Sequence, residues 1–119
     1  MNAVQWFRAA FPRVLAFHVP NGEKRDRRTA ELLQRMGVLP GVGDWLMFPA
    51  GVKICFEFKR KKGGVQDADQ VRFERMWKRI GGVYHVVNNL EDFQALCIGY
   101  CFATEGPPEP TEPVTVPWA

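Results

Sequence analysis

Asp44, Glu57 and Lys59 are the residues whose types and spacing could do chemistry. In Ile54-Cys55-Phe56-Glu57-Phe58-Lys59, apolar Ile54, Phe56 and Phe58 alternate with Cys55, Glu57 and Lys59. Side chains alternate faces along a strand, so Glu57 and Lys59 share one face, with Cα atoms about 7 Å apart. A carboxylate beside an ammonium can hold a divalent cation and orient a water. Asp44 opens the preceding extended run after Gly41-Val42-Gly43 and supplies a second carboxylate. Two carboxylates converging on one point are costly unless a cation or proton lies between them. Mg²⁺ takes one or two carboxylates plus substrate phosphate, keeps several waters, and can polarise a phosphodiester. A D…ExK match arises often by chance in a charged chain. The aromatic strand around Glu57 makes an unpaired charge there expensive and raises the specificity of this one.

Positioning these groups requires a hairpin. Asp44–Phe48 and residues 52–59 read as strands joined at Pro49-Ala50-Gly51, so the start of one lies beside the end of the other. Before them, residues 3–11 read as a helix closed by Pro12, and 14–19 as a strand ended by Pro20-Asn21-Gly22. A helix follows from Thr29 to Met36, with Leu32, Leu33 and Met36 inward and Gly37 at C′. Asp67 caps the longest helix, 68–81, with Phe73, Met76, Trp77 and Ile80 as its inward stripe. Val83–Val87 reads as a strand. Asn89 caps a last helix with Phe93, Leu96, Cys97 and Tyr100 inward. The order α-β-α-β-β-α-β-α argues for an α/β domain, a mixed β-sheet flanked by helices on both faces. Residues 1–101 form one domain, and 102–119, rich in proline, read as a disordered or extended tail.

Gln70 shares the sheet-facing side of the long helix. It suits both a capping box with Asp67 and a reach toward Lys59 or the water. His18 and His85 lie on strands without ligand neighbours and read as structural, with His18 beside Asn21 also able to face a substrate. The three cysteines lack paired spacing and read as buried free thiols.

The 119-residue chain has formal net charge +3. Residues 1–101 hold all 16 Lys and Arg but only 10 of the 13 acids, a net +6 that suits a polyanion. Asn21, Arg25, Arg27, Arg28, Lys61 and Lys62 are candidate DNA contacts. No apolar run could span a bilayer and residues 1–8 do not read as a signal-peptide hydrophobic region, so a cytoplasmic protein is expected.

His18-Val19-Pro20-Asn21-Gly22-Glu23-Lys24-Arg25, Met36-Gly37-Val38, Gly41-Val42-Gly43-Asp44, Phe56-Glu57-Phe58-Lys59 and Gln70, in this order, resemble the virus-type replication-repair nuclease (VRR-NUC) domain. This is a branch of the PD-(D/E)xK nuclease superfamily, and the match covers about residues 4–90. The resemblance implies Asp44, Glu57, Lys59 and Gln70 as catalytic residues. It implies Mg²⁺ or Mn²⁺ held by Asp44, Glu57 and the backbone carbonyl of Phe58. Small stand-alone members, often phage-encoded, are similar to Holliday-junction resolvases and tend to be homodimers. The implied activity is a structure-specific endodeoxyribonuclease acting on branched DNA in repair. A flap or linear-duplex nuclease, and a DNA-binding module with little catalysis, remain alternatives. Gly43 stands where the family usually has proline. The family also often carries a glutamate on its first helix, whereas no acid precedes Glu23 here. That implies a start truncated relative to relatives, a site that works without the group, or weakened activity.

Overall fold

In the computed structural model, residues 2–19, 27–59 and 66–110 are described. The elements in chain order are α1 (Ala3–Ala10), β1 (Ala16–His18), α2 (Arg27–Arg35), β2 (Trp45–Met47), β3 (Ile54–Phe58), α3 (Ala68–Arg79), β4 (Val83–Val87) and α4 (Leu90–Glu105). A 3-10 turn at Pro49–Gly51 closes the β2–β3 hairpin. This is the expected order. The sheet runs β1-β2-β3-β4, antiparallel except for the parallel β3–β4 pair.

Alternation along the strands divides the core into two layers. Trp45, Met47, Ile54 and Phe56 face α1 and α4, where Phe7, Phe11, Phe93 and Cys97 are buried. Leu46 and Cys55 face α3 and meet Phe73 and Trp77. Phe93 is the hub of the first layer, its ring 4.8 Å from Phe56, 5.3 Å from Phe58 and 6.1 Å from Trp6. Cys55, Cys97 and Cys101 are free and buried, and burial pushes the Cys55 thiol up to about 12.

Local signals place the helix ends. Asn2 caps α1 in a reciprocal box with Gln5, at 2.8 and 3.2 Å, a pairing the hydrophobic spacing did not reveal. Gly37, with φ +96°, turns the chain after α2 so that Val38 N–H donates to the Leu33 carbonyl at 2.9 Å. α4 continues to Glu105, past the boundary expected at residue 101, and Glu109 N–H donates to the Ala10 carbonyl at 3.0 Å.

Two expected apolar stripes are corrected. No residue of α2 is buried; Leu32 is 56% exposed and Met36 72%. Both core layers are completed by α1, α3 and α4, and α2 contributes to neither. On α3, Phe73 and Trp77 are buried while Met76 and Ile80 are exposed. The helix ends at Arg79, so Ile80 lies in the turn, and the contact with the sheet is only as wide as one i, i+4 pair.

Candidate active site

Trp45 pairs with Phe56 across the hairpin, which brings Asp44 beside the end of β3. One Asp44 carboxylate oxygen, Oδ2, accepts the Phe58 backbone N–H at 2.8 Å. Its backbone carbonyl accepts Val19 N–H at 3.1 Å and lies 2.8 Å from His18 Nδ1. The loop before it is pressed against its neighbours. A Cβ on Gly43 would stand 2.2 Å from Cys55 Sγ and 3.7 Å from Glu57 Oε2. Gly41 has φ +82°, and a Cβ there would meet the Asp69 backbone at 2.3 Å. Only glycine allows this backbone to lie on both β3 and the start of α3.

Strand parity holds: Glu57 and Lys59 are on the α3 face, with Lys59 Nζ 3.5 Å from Glu57 Oε1. Gln70 ties the group together. Its Nε2 donates to Glu57 Oε1 at 2.9 Å, while its Oε1 accepts from Lys59 Nζ at 3.2 Å and from Asp67 N–H at 3.0 Å. The capping box and the reach to Lys59 therefore coexist in one side chain. The Gln70 N–H, donating to Asp67 Oδ1 at 2.9 Å, closes the box.

Glu57 is 5% exposed, and its Oε2 is buried without a hydrogen-bond partner among the described residues. Burial pushes this carboxyl above the ordinary carboxylate range and the Asp44 charge adds to the shift, against the pull of Lys59. An unpartnered buried carboxylate oxygen next to a second carboxylate fits a divalent cation, which would relieve both the desolvation and the repulsion. Among the described residues no three His, Cys, Asp or Glu side chains cluster as a closed metal cage. An open site of two carboxylates completed by substrate oxygens remains consistent with that.

The expected DNA contacts are less gathered. Arg27 pairs with Glu31 at 3.1 Å, and Arg28 lies exposed on α2. Asn21, Arg25, Lys61 and Lys62 lie outside the described residues. His85 lies 2.6 Å from the Tyr100 hydroxyl and stacks on Phe56, so it serves the core. The contact of His18 with Asp44 was not legible from local spacing, since it depends on the β1–β2 register. The only hint was its position at the end of a strand.

No family model and no curated protein matches the sequence. Among solved structures, the chain is similar to a "VRR_NUC domain protein", with TM-score 0.58 and 18% identity over 71% of this chain. It spans about two thirds of that protein's length, 66%. Among the described residues no helix is long and apolar enough to cross a membrane. The chain thus has the nuclease-like α/β fold of a VRR-NUC domain protein, as its motif set led one to expect.

Proposed function

We propose that this chain is a Mg²⁺- or Mn²⁺-dependent structure-specific endodeoxyribonuclease that cuts branched DNA such as four-way junctions, acting as a homodimer. The observation that carries this reading is the buried Oε2 of Glu57 beside Asp44, unpartnered among the described residues. Asp44 and Glu57, with the Phe58 carbonyl, would hold the ion, which when bound polarises the phosphate and lowers the pKa of the attacking water. Gln70 engages Glu57 Oε1 and so leaves Oε2 for that purpose. Lys59, held by Glu57 and Gln70, orients the water or offsets charge developing on the phosphate. A two-fold dimer would present two such sites to the two strands of a symmetric junction.

The test is cleavage of a labelled synthetic four-way junction with Mg²⁺ by wild type and Lys59→Ala. Loss on the order of 10²–10³-fold in the variant is expected, as for removal of one charge-stabilising donor. Equal cutting by both removes Lys59 from the mechanism.

One observation favours a second reading, a DNA-binding module with weak catalysis. The described α1, Ala3–Ala10, carries no acidic side chain, so these residues add no third carboxylate to Asp44 and Glu57. Saturable Mn²⁺ binding that disappears in Asp44→Asn supports the enzyme, and absence of metal binding supports the module.

A further inference from the structure

A cleft of about 420 Å³ opens on the other side of Lys59. It lies where the parallel strands β3 and β4 end, between the N-termini of α1 and α4. Ligands in α/β folds gather at the carboxyl ends of parallel strands, and this volume lies within the roughly 300–1,000 Å³ range of small-molecule sites. Its apolar side is formed by Phe58, Val87, Leu90 and Phe93. The two rings meet edge to face at 5.3 Å. Its rim carries the amides of Asn2, Asn88 and Asn89.

The polar groups select the ligand class. Asn89 is spent on capping α4 and on Asp92. The amide nitrogens of Asn2 and Asn88 have no partner among the described residues. Glu91 and Asp92 in the first turn of α4 offset its N-terminal dipole and weaken the cleft's hold on a phosphate from that side. Lys59, the one cation among the described residues that line the cleft, is already engaged by Glu57 and Gln70. What fits is a neutral, flat group with an apolar face and a hydrogen-bonding edge.

We propose that this cleft binds one unpaired nucleobase of the DNA, stacked against Phe58 and read at its edge by Asn2 and Asn88. The proposal rests on the nuclease reading for the identity of the polymer and adds a source of preference for branched substrates. A base inside a duplex is stacked and paired and cannot enter a concave site, whereas a base at a branch point enters at little unstacking cost. Residue 58 links the two sites. Its backbone N–H holds Asp44, and its ring lines the cleft, so a captured base would set the neighbouring phosphate against Glu57 and Lys59.

The experiment uses the full chain with a chelator, so that nothing is cut. One duplex carries a single unpaired 2-aminopurine, and a control carries the same base paired. Wild type is expected to change the emission of the unpaired base saturably and to bind that duplex more tightly than the control. Leu90→Trp, which fills the cleft, and Asn88→Ala, which removes a rim amide and is exposed enough to leave the fold alone, are each expected to weaken that binding. The expected loss is on the order of tenfold, the range for one base–aromatic contact, with control binding unchanged. Equal binding of the two duplexes by wild type, or wild-type binding of the unpaired base by Asn88→Ala and Leu90→Trp alike, overturns the proposal. Cleavage with Mg²⁺ is scored separately. A chain that captures the unpaired base but cuts no DNA retains this site and loses the nuclease reading; a chain that cuts but ignores the unpaired base does the reverse.

Discussion

Glu57 is the residue on which the site turns, because its environment opposes its own ionisation. Its carboxyl is raised by burial and by Asp44. At pH below the ordinary glutamate value, folded and unfolded chains both hold the proton and the group contributes nothing. As pH rises through that value, the unfolded chain ionises first and the native state keeps the extra proton. Stability of the metal-free protein therefore falls with pH from the ordinary value up to the raised one, and levels off above it. Glu57→Gln is expected to remove that slope from the difference between the two melting-temperature profiles. A parallel pair of profiles would refute the shift. Metal affinity has the opposite sign, since binding must displace the proton. Mn²⁺ titrations across the same window are expected to tighten with pH. At Gln70, Gln70→Ala removes hydrogen bonds to Glu57, Lys59 and Asp67 at once. A stability loss of about 1–3 kcal/mol by urea denaturation is expected, from the typical worth of such bonds and the buried groups left unpaired. A loss below the scatter of the fit would mean that water replaces the glutamine.

Elements matter here through how closely they approach. The Gly41–Gly43 segment lies on β3 and on the first turn of α3 at once, and so fixes Asp44 relative to Glu57 and Gln70. Gly41→Ala meets both a positive φ and the Asp69 backbone. It is expected to cost at least about 1–3 kcal/mol and to weaken Mn²⁺ binding by shifting the start of α3. Unchanged calorimetric binding would separate the loop from the site. α2 supplies the contrast. Its Leu32 and Met36 are exposed, so Leu32→Ser with Met36→Gln is expected to move stability by no more than about 0.5 kcal/mol per site. A larger fall would show that this face is covered in solution, and a dimer lost together with the stability would identify what covers it.

At the scale of the molecule, the sheet keeps two jobs on opposite faces. The α1–α4 layer is almost wholly aromatic and aliphatic, and the α3 layer gives its outer end to charged groups. Phe93 joins α4 to α1 and β3 in the first layer. Phe93→Ala is expected to lower stability by about 3–5 kcal/mol, read as a shift in the denaturant midpoint with little change in slope. A small effect would mean that the layer closes around the gap. Asp44 and Glu57 face α3, so Mn²⁺ binding in this variant is expected to follow the folded fraction, and a loss beyond it would run through Phe58, whose ring packs on Phe93 and whose N–H holds Asp44.

Glu57, Lys59, Phe56 and Phe58 were legible because a strand has a strict two-residue period, and Asp67 with Gln70 because capping is local in sequence. The order of elements and the hairpin followed from turn residues for the same reason. Burial on α2 and α3 was not legible. A helical stripe says which residues share a face, but not whether another element is left to cover it, and here the two core layers close without α2. The His18 contact, the squeezed glycines and the free oxygen of Glu57 were decided by tertiary structure alone. Each depends on the distance between segments far apart in the chain, which spacing along one strand or helix does not contain. The sequence by itself named the groups that could do the chemistry. Folding decided which of their atoms were already taken, and among the described residues it leaves the buried Oε2 of Glu57 open.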